Sequence, residues 1–566
     1  MKKNLLLLLA SCFLLLGSVS ATNVSGFISA NTTWNLAGSP YIVVGNTLLS
    51  HGYTLTIDPG VVVKFNNVTT LQIDGEIHAI GTAANRITFT SNQAVPAPGD
   101  WGNLHFDDTC ANAVFDTSGN YLSGCIMKYC DVLYASGLGA GAIHIESSSP
   151  YFSLCRIDSC TADGIHCVGS SFLIDSSAIK HCTGYGLSFT LSHLNSCGIT
   201  VIGDTLYENG GGISFGATFG NCLGHAVRIH NNLFQSNNSL GAINNSSSSD
   251  SIIITENYFM NNTVGVSANA LITLMGANTN TIIECNNVIG NQMISGCVLY
   301  MPGCRGGRIR NNIFDSNITS GNVSVASIAS NQSTAHLYFD NNYITNNTAV
   351  NGTCIIFIPI YNNNHLLHID HNEFSGNTAT RIIKIQNGII GSGDLDFIYF
   401  KHNNFLDQSP QIELYNDVAY GSPNLYIDSN YWGGTSTQHI DSLVYDFFDD
   451  ASKSVVYYSP ILTSPASIDT TCLPPIIAAI NTIERKNSGA SIFPNPFTTT
   501  ATISINKEIH GGSLRLINLF GQTVMEKNNI NGNSYTINRE NLSSGIYLFE
   551  VSEKGNTIYS GKAVVY

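Results

Sequence analysis

The sequence predicts an all-β protein built mainly as a parallel solenoid, in which short strands wind into stacked coils. Apolar residues make up 43% of the 566 residues and charged residues only 11%. Asn, Ser, Thr and Gly replace the missing charge, a mixture that suits strands joined by tight turns. An apolar position recurs every 22–31 residues over about 120–435 without a helical period. This composition excludes a disordered chain and a coiled coil.

The recurring apolar position, here called the anchor, has two companion columns. The anchors are Met127, Ile157, Ile179, Leu206, Phe234, Phe259, Val288, Phe314, Ile344, Phe374, Phe405 and Trp432. The residue five before each anchor is apolar. The residue two before is Asn in the last eight repeats, at Asn232, Asn257, Asn286, Asn312, Asn342, Asn372, Asn403 and Asn430. We expect a strand, a corner and a second strand, with a left-handed Asn at the corner bonded to its counterpart in the next coil.

With this pattern the chain resembles the right-handed parallel β-helix family, which includes many secreted polysaccharide lyases and hydrolases. The Asn column is similar to the turn ladder of that family. The string LTIDPGVVVKF at 55–65 resembles the first coils of secreted bacterial members. The resemblance implies a right-handed parallel β-helix over 116–462, of about 28 residues per coil, preceded by a cap and first coils at 22–115.

Both ends of the sequence indicate export. Residues 1–21 combine a basic start, a short apolar run and small residues before Ala21, as in a secretory signal peptide. Later segments are too short or too polar for a transmembrane helix. A proline-containing linker is expected at 463–490. The net charge of −15 argues against a nucleic-acid partner.

Residues 491–566 alternate strands with Gly turns, which predicts a small β-sandwich. This segment resembles the C-terminal sorting domain of the type IX secretion system. The residues that carry the resemblance are Pro494, Asn495, Pro496, Gly521, Gly545, Tyr547 and Lys562. The resemblance implies the type IX secretion machinery as a partner and a secreted or outer cell-surface location. The alternative is a generic adhesive sandwich.

Fourteen cysteines follow the signal segment. In the anchor alignment Cys125 and Cys155 share one column, and Cys130, Cys160 and Cys182 share another. Neighbouring strands hold Cβ atoms farther apart than a disulfide prefers. We therefore expect buried thiols, with one or more disulfides as the alternative. No spacing of these cysteines predicts a zinc site.

The strand before each corner carries outward residues six and four positions ahead of the anchor. In the last coils these are Arg308, Tyr338, His368, Tyr399 and Tyr426, beside Arg310, Asp340, Asp370, Lys401 and Asp428. Stacking would align them in a stripe about 20 Å long. Rings beside charged groups suit a sugar chain, with Tyr338, Tyr399 and Tyr426 as the packing surfaces. The alternative is an ordinary sheet surface.

Two reactions also fit these residues. Lyase chemistry on a uronate would use Arg308, Arg310, Lys401 or His368, with Asp340 and Asp370 holding Ca²⁺. Hydrolysis would use the Asp340 and Asp370 pair. Ca²⁺ is also conceivable at the acidic segment 441–450. Because no long loop interrupts the coils, we favour a structural, adhesive or glycan-binding β-helix over a polysaccharide lyase or glycoside hydrolase.

Overall fold

The computed structural model describes two compact units, which divide after Asp469. The described residues are 21–191, 198–217, 226–246, 251–266, 270–275, 280–330, 336–350, 354–360, 366–387, 398–407, 412–421, 424–469, 471–472, 490–493, 497, 499–518, 523–539, 542, 545–553 and 556–565. The signal segment, most of the linker, Pro494, Asn495, Pro496 and Gly521 lie outside them.

The first unit is a parallel β-helix with three columns of strands, which confirms the predicted fold class. Sheet I contains Thr32–Trp34, Thr54–Ile57, Glu76–Ile80, Ile126–Lys128, Tyr151–Ser153, Phe172–Asp175, Gly198–Ile202, Ala226–His230, Ser251–Thr255, Asn280–Glu284, Gly307–Arg310, His336–Asp340, Leu366–Asp370 and Ile398–Lys401. Sheet II contains Val62–Phe65, Ile87–Ser91, Cys130–Leu133, Arg156–Asp158, Ala178–Lys180, Thr205–Tyr207, Leu233–Gln235, Tyr258–Met260, Asn287–Ile289, Ile313–Asp315, Tyr343–Thr345, Glu373–Ser375 and Asn404–Phe405. Sheet III contains Leu71–Ile73, Leu104–Phe106, Ile143–Glu146, Ile165–Val168, Tyr185–Leu191, Gly211–Ala217, Ile243–Asn245, Ala270–Leu274, Cys297–Cys304, Val323–Ser330, Cys354–Ile360, Arg381–Asn387, Ile412–Asp417 and Val444–Tyr445.

Shorter elements complete this unit. The long strands Thr22–Ile28 and Tyr41–Leu49 pair with each other, and Tyr41–Leu49 joins the first strands of sheets II and III. A fourth, narrow parallel sheet contains Asn238–Ser239, Thr263–Val264, Gln292–Met293, Ile318–Thr319 and Thr348–Ala349. The remaining elements are the hairpin Val114–Phe115 and Tyr121–Ser123, the pair Leu425–Tyr426 and Val456–Tyr457, the 3₁₀ turn Leu36–Gly38 and the α-helix Thr437–Asp441.

The anchors from Ile157 onward stack in register on sheet II. Ile157 pairs with Ile179, Phe234 with Phe259, and Phe374 with Phe405. These side chains are buried, and neighbouring rings stack, as at Phe234 and Phe259 with centroids 4.7 Å apart. The interior is therefore one continuous apolar column, and its period of two puts the alternate residues of each strand outside.

The first repeat of the predicted alignment is wrong. Met127 pairs with Phe152 on sheet I, and Val132 is the residue that pairs with the anchor Ile157. The repeat is therefore shifted by five residues. Leu122, assigned an inward position by the alignment, is 61% exposed and lies in the hairpin Tyr121–Ser123.

The left-handed corner residue is also not the one predicted. The residue before each column Asn has a positive φ, for example Asn311 at 56° and Asn341 at 55°. A second left-handed residue lies two positions after the anchor, for example Ser316 at 55°. The column Asn follows the bend instead, where its side chain can turn inward and reach backbone groups.

The eight column asparagines form a hydrogen-bonded ladder inside the corner. Asn312 is representative. Its Nδ2 donates to Ile283 O at 2.8 Å and to Asn342 Oδ1 at 3.0 Å, and its Oδ1 accepts from the backbone N–H and Nδ2 of Asn286. A second ladder follows the anchors, at Asn209, Asn237, Asn262, Asn291, Asn317, Asn347 and Asn377. It ends on Asp407, where burial raises the carboxyl pKa to about 6.

The cysteines follow the corrected alignment. Cys130 is hydrogen-bonded to Cys155, Cys160 to Cys182 and Cys110 to Cys125. Nine described cysteines are buried and lie outside disulfides, and burial is the main reason that the pKa of Cys130 lies well above its usual value. Cys285 and Cys472 are each disulfide-bonded, so the chain contains both buried thiols and disulfide-bonded cysteines.

The last residues of the first unit run along the β-helix corner. Ala466 exchanges two hydrogen bonds with the Asn404 side chain, and Asp469 N donates to Asn341 Oδ1 at 3.0 Å. Residues 463–469, which the sequence assigns to the linker, are therefore anchored to the β-helix. Among the described residues, no helix is long and apolar enough to cross a membrane.

The second unit is a five-stranded antiparallel sheet with its own apolar core. Its strands are Ala490–Phe493, Thr500–Asn518, Thr523–Asn538, Gly545–Glu553 and Asn556–Val565. Gly545 pairs with Val565, and Leu548 with Lys562. Tyr547 is buried. The two-layer sandwich stays a prediction.

We predict that Asn312→Ala lowers the free energy of unfolding by about 3 kcal/mol. The change removes the side-chain partner of the Asn286 backbone N–H and of the Ile283 carbonyl in the interior, at about 1–3 kcal/mol per group. Urea unfolding followed by circular dichroism measures the effect. Asn238→Ala is the control, because that side chain is exposed. Equal stability of the two variants would contradict the role of the ladder.

Asp204 stands at the start of the first ladder, in the position that Asn occupies in the following coils. Its Oδ1 accepts from Ser177 N at 2.6 Å, while its buried Oδ2 has no partner. Burial holds its pKa well above the usual value. A raised folded-state pKa means that stability falls as pH rises through it. We therefore predict that Asp204→Asn stabilises the β-helix by about 1–2 kcal/mol at pH 7, and by less at pH 4. Urea midpoints at both pH values test this, with exposed Asp108→Asn as the control. An equal gain at both pH values would contradict it.

Candidate functional site

The outward stripe predicted from the sequence lies on the last strands of sheet I. Arg308, Tyr338, His368 and Tyr399 pair in register, and so do Arg310, Asp340, Asp370 and Lys401. The residues between these two columns are Ile309, Phe339, Ile369 and Phe400, all buried. The apolar interior fixes the strands, and their alternation presents the polar residues on one face.

The centre of the stripe is a stack of four rings. The His368 ring lies between Tyr338 and Tyr399, with both centroid distances 4.5 Å. His336 joins from the same strand as Tyr338, and its Nδ1 is 2.8 Å from His368 Nε2. Tyr338 and Tyr399 remain 40% and 41% exposed. The result is a row of accessible aromatic surface along the stacking direction.

The charged residues beside the rings are arranged as ion pairs between coils. Arg308 Nε lies 2.5 Å from Glu284 Oε1, and Arg310 Nη2 lies 3.5 Å from Asp340 Oδ2. Lys401 Nζ lies 3.3 Å from Asp428 Oδ1. Each cation of the stripe thus has a carboxylate neighbour, although these groups remain partly exposed.

Several groups of the stripe have shifted pKa values. Burial raises the pKa of Asp340, and the nearby Arg310 offsets part of that rise. Burial also raises the pKa of Asp370, opposed by a hydrogen bond from Lys401 N. Burial and then the neighbouring His336 lower the pKa of His368. Such shifts concentrate at functional sites, and they also arise in structural networks.

Tyr426 lies apart from the ring stack. Its ring stacks on Tyr457, with centroids 5.1 Å apart. His371 and His402 occupy left-handed corner positions and stack on each other at 4.7 Å. The structure therefore brings together nine of the ten predicted stripe residues, with Asp428 joined through Lys401, and places Tyr426 in a separate ring pair with Tyr457.

The acidic segment near the end of the β-helix uses its carboxylates internally. Asp446 is buried and accepts from the backbone N–H groups of Phe448 and Val456. Asp441 accepts from Tyr458 at 2.5 Å. Asp450 accepts from Ser452 N. Through these hydrogen bonds the acidic side chains stabilise the turns and strands of this segment.

A second group of polar side chains, which the sequence analysis missed, lies on sheet III. His105 and His144 pair in register, and His144 pairs with His166. Burial, then His105 and His166, lowers the pKa of His144 to about 4. The sequence signal is a His between apolar residues in three successive strands, at 104–106, 143–145 and 165–167.

Two protein families match parts of the chain. Residues 491–566 match the secretion system C-terminal sorting domain, and residues 26–123 match the pectate-lyase like beta helix domain. The chain therefore carries a sorting domain of the type IX secretion system, which directs it to the cell surface or to secretion. No curated protein matches the sequence.

Solved structures give only distant similarities. A mannuronic acid specific polysaccharide family 6 lyase from human gut microbiota is 14% identical, with a TM-score of 0.37 over 74% of this chain and 87% of the other. An alginate lyase from Paenibacillus sp. is 12% identical, with a TM-score of 0.26 over 62% of this chain and 93% of the other. A periplasmic alginate epimerase is 10% identical, with a TM-score of 0.26 over 76% and 84%. Similarity at this level carries no information about activity.

We predict that Tyr399→Ala raises the pKa of His368 towards its ordinary value. Removing the ring exposes the imidazole, and desolvation is the main cause of the lowered pKa. A titration of ¹³C-labelled histidine by NMR measures the change, with the His368 signal assigned from His368→Gln. Tyr426→Ala is the matched control, since its ring stacks on Tyr457. An unchanged His368 pKa in Tyr399→Ala would contradict the stacking.

Proposed function

We propose that this exported β-helix binds a polysaccharide at the outer cell surface or outside the cell, along the ring stack of sheet I. The observation that carries the proposal is the exposed row formed by Tyr338, His368 and Tyr399. Sugar rings present apolar C–H faces that pack on aromatic rings. A row of rings on a rigid sheet offers such faces to several successive sugar units.

The polar edge of the stack supplies hydrogen bonds for sugar hydroxyl groups. Asp340, Asp370 and Lys401 lie two residues after the rings on the same strands, and Arg310 lies two residues after Arg308. All four face the same side as the rings. Charged donors and acceptors make stronger hydrogen bonds than neutral ones. The arrangement combines a stacking surface with donors and acceptors, which is what recognition of a neutral or charged glycan requires.

A second candidate function is cleavage of the bound polysaccharide. The observation that favours it is the group of shifted pKa values at Asp340, Asp370 and His368. Asp340 and Asp370 are register neighbours, at the short end of the carboxylate spacing of glycosidases. In a lyase, His368 would accept a proton, and Arg310 or Lys401 would neutralise a uronate, with Ca²⁺ between the two Asp residues. The ion pairs of both cations weigh against this role.

We predict that Tyr338→Ala and Tyr399→Ala each weaken glycan binding about tenfold, which corresponds to about 1.4 kcal/mol. A glycan array would first identify the ligand, and isothermal titration with that glycan would give the Kd. Tyr207→Ala is the matched control, because Tyr207 is a partly buried tyrosine on sheet II. Unchanged binding in both stripe variants, or equal loss in Tyr207→Ala, would place the site elsewhere.

The same glycans test cleavage, with and without Ca²⁺. Unsaturated ends that disappear in Arg310→Ala or Lys401→Ala would establish a lyase. Reducing ends alone that disappear in Asp340→Ala or Asp370→Ala would establish a hydrolase. We expect binding without either product. If the array shows no binding and the assay no product, the stripe is an ordinary sheet surface and the proposal fails.

A further inference from the structure

We propose that His105, His144 and Glu146 form a binding site for a first-row divalent metal ion. Among these ions, Zn²⁺ suits the three ligands best. One ligand atom from each residue lies within 4.8 Å of the others. The inference is independent of the sheet I stripe, because all three residues lie on sheet III.

The three residues are brought together by coil stacking. His105 lies on the strand Leu104–Phe106, and His144 and Glu146 lie on the neighbouring strand Ile143–Glu146. The two imidazole centroids are 4.8 Å apart, and His105 Nε2 lies 3.9 Å from Glu146 Oε2. Modest side-chain adjustment would bring these atoms to one metal ion, since zinc bonds to nitrogen and oxygen are about 2.0–2.2 Å long.

The buried nitrogens of this group have no hydrogen-bond partner. These are His105 Nε2 and His144 Nδ1. A buried polar atom without a partner costs free energy that a ligand would recover. His181 of the same β-helix differs in this respect. Both ring nitrogens of His181 have partners, Asp158 at 2.7 Å and Glu208 at 3.1 Å.

The backbone around the site is rigid, and its outer side is open. The inward neighbours Leu104, Phe106, Ile143 and Ile145 are all fully buried, which fixes the two strands. Glu146 is 51% exposed by its side chain, so solvent can reach a bound ion. Two imidazoles and one carboxylate with a free position form a typical zinc donor set. Ca²⁺ fits poorly, because it prefers six to eight oxygen ligands.

The test uses the full chain, purified without a histidine tag and stripped of metal by EDTA followed by dialysis. Isothermal titration with ZnSO₄ measures stoichiometry and Kd. We expect one equivalent of Zn²⁺ to bind the wild type. We expect His105→Gln, His144→Gln and Glu146→Gln each to weaken binding by at least about tenfold. Thermal melts in EDTA show whether each variant is folded.

The matched control is His166→Gln. His166 is the next histidine in the column, but its Nδ1 is 2.6 Å from Ser188 Oγ, which donates to Asp163. His368→Gln controls for the histidine pair on sheet I. Both controls should bind Zn²⁺ as the wild type does, and Zn²⁺ should raise the melting temperature of the controls but not of the three ligand variants. No stoichiometric binding by the wild type would overturn the proposal. So would wild-type affinity in folded His144→Gln and Glu146→Gln, or an equal loss in a control.

Discussion

The stacking of parallel coils in register is the constraint on which the rest of the molecule depends. Each residue of a strand lies beside one residue of the coil before it and one of the coil after it, at about 4.8 Å. An inward side chain therefore packs against the side chains at the equivalent positions of the coils before and after it. The interior solves this with aliphatic and aromatic stacks, as at Phe234 and Phe259. The corners solve it with asparagine, whose amide both donates and accepts along the column.

The same constraint explains how much the sequence could predict. From Ile157 to Trp432 the anchor spacing alone identifies the inward column, because burial selects apolar residues at every coil. The first repeat was misaligned for a physical reason. Cys125 and Cys130 have the same spacing as Cys155 and Cys160, and a hairpin at 114–123 interrupts the coil before them. The sequence can therefore be aligned in two ways, with Cys125 or with Cys130 beside Cys155. Only the strand pairing in the structure shows that the second alignment is correct.

Side-chain partners were harder to predict than positions. The register of the stripe follows from the repeat, but the ion pairs of Arg308 with Glu284 and of Arg310 with Asp340 depend on rotamers. The repeat also does not predict the ring partner of Tyr426. Its strand pairs with Val456–Tyr457, and the ring stacks on Tyr457. His105 and His144 were missed because they lie 39 positions apart and His105 precedes the predicted repeat, so the anchor spacing does not reveal that they are register neighbours.

Outward columns face the opposite problem from inward ones, since like charges stacked at the strand spacing repel. On sheet I the cations Arg308, Arg310 and Lys401 each have a carboxylate neighbour in an adjacent coil. Asp340 and Asp370 are the like-charged register neighbours of the stripe, and rings that stack without charge fill the column beside them. This arrangement stabilises the sheet whether or not a ligand binds. The stacking of the rings is therefore no evidence of a ligand. The evidence for binding is their exposure, because Tyr338 and Tyr399 keep two fifths of their surface accessible to solvent, which the stability of the sheet does not require. On sheet III the corresponding argument rests on nitrogen atoms left without partners, an arrangement that stacking alone does not favour.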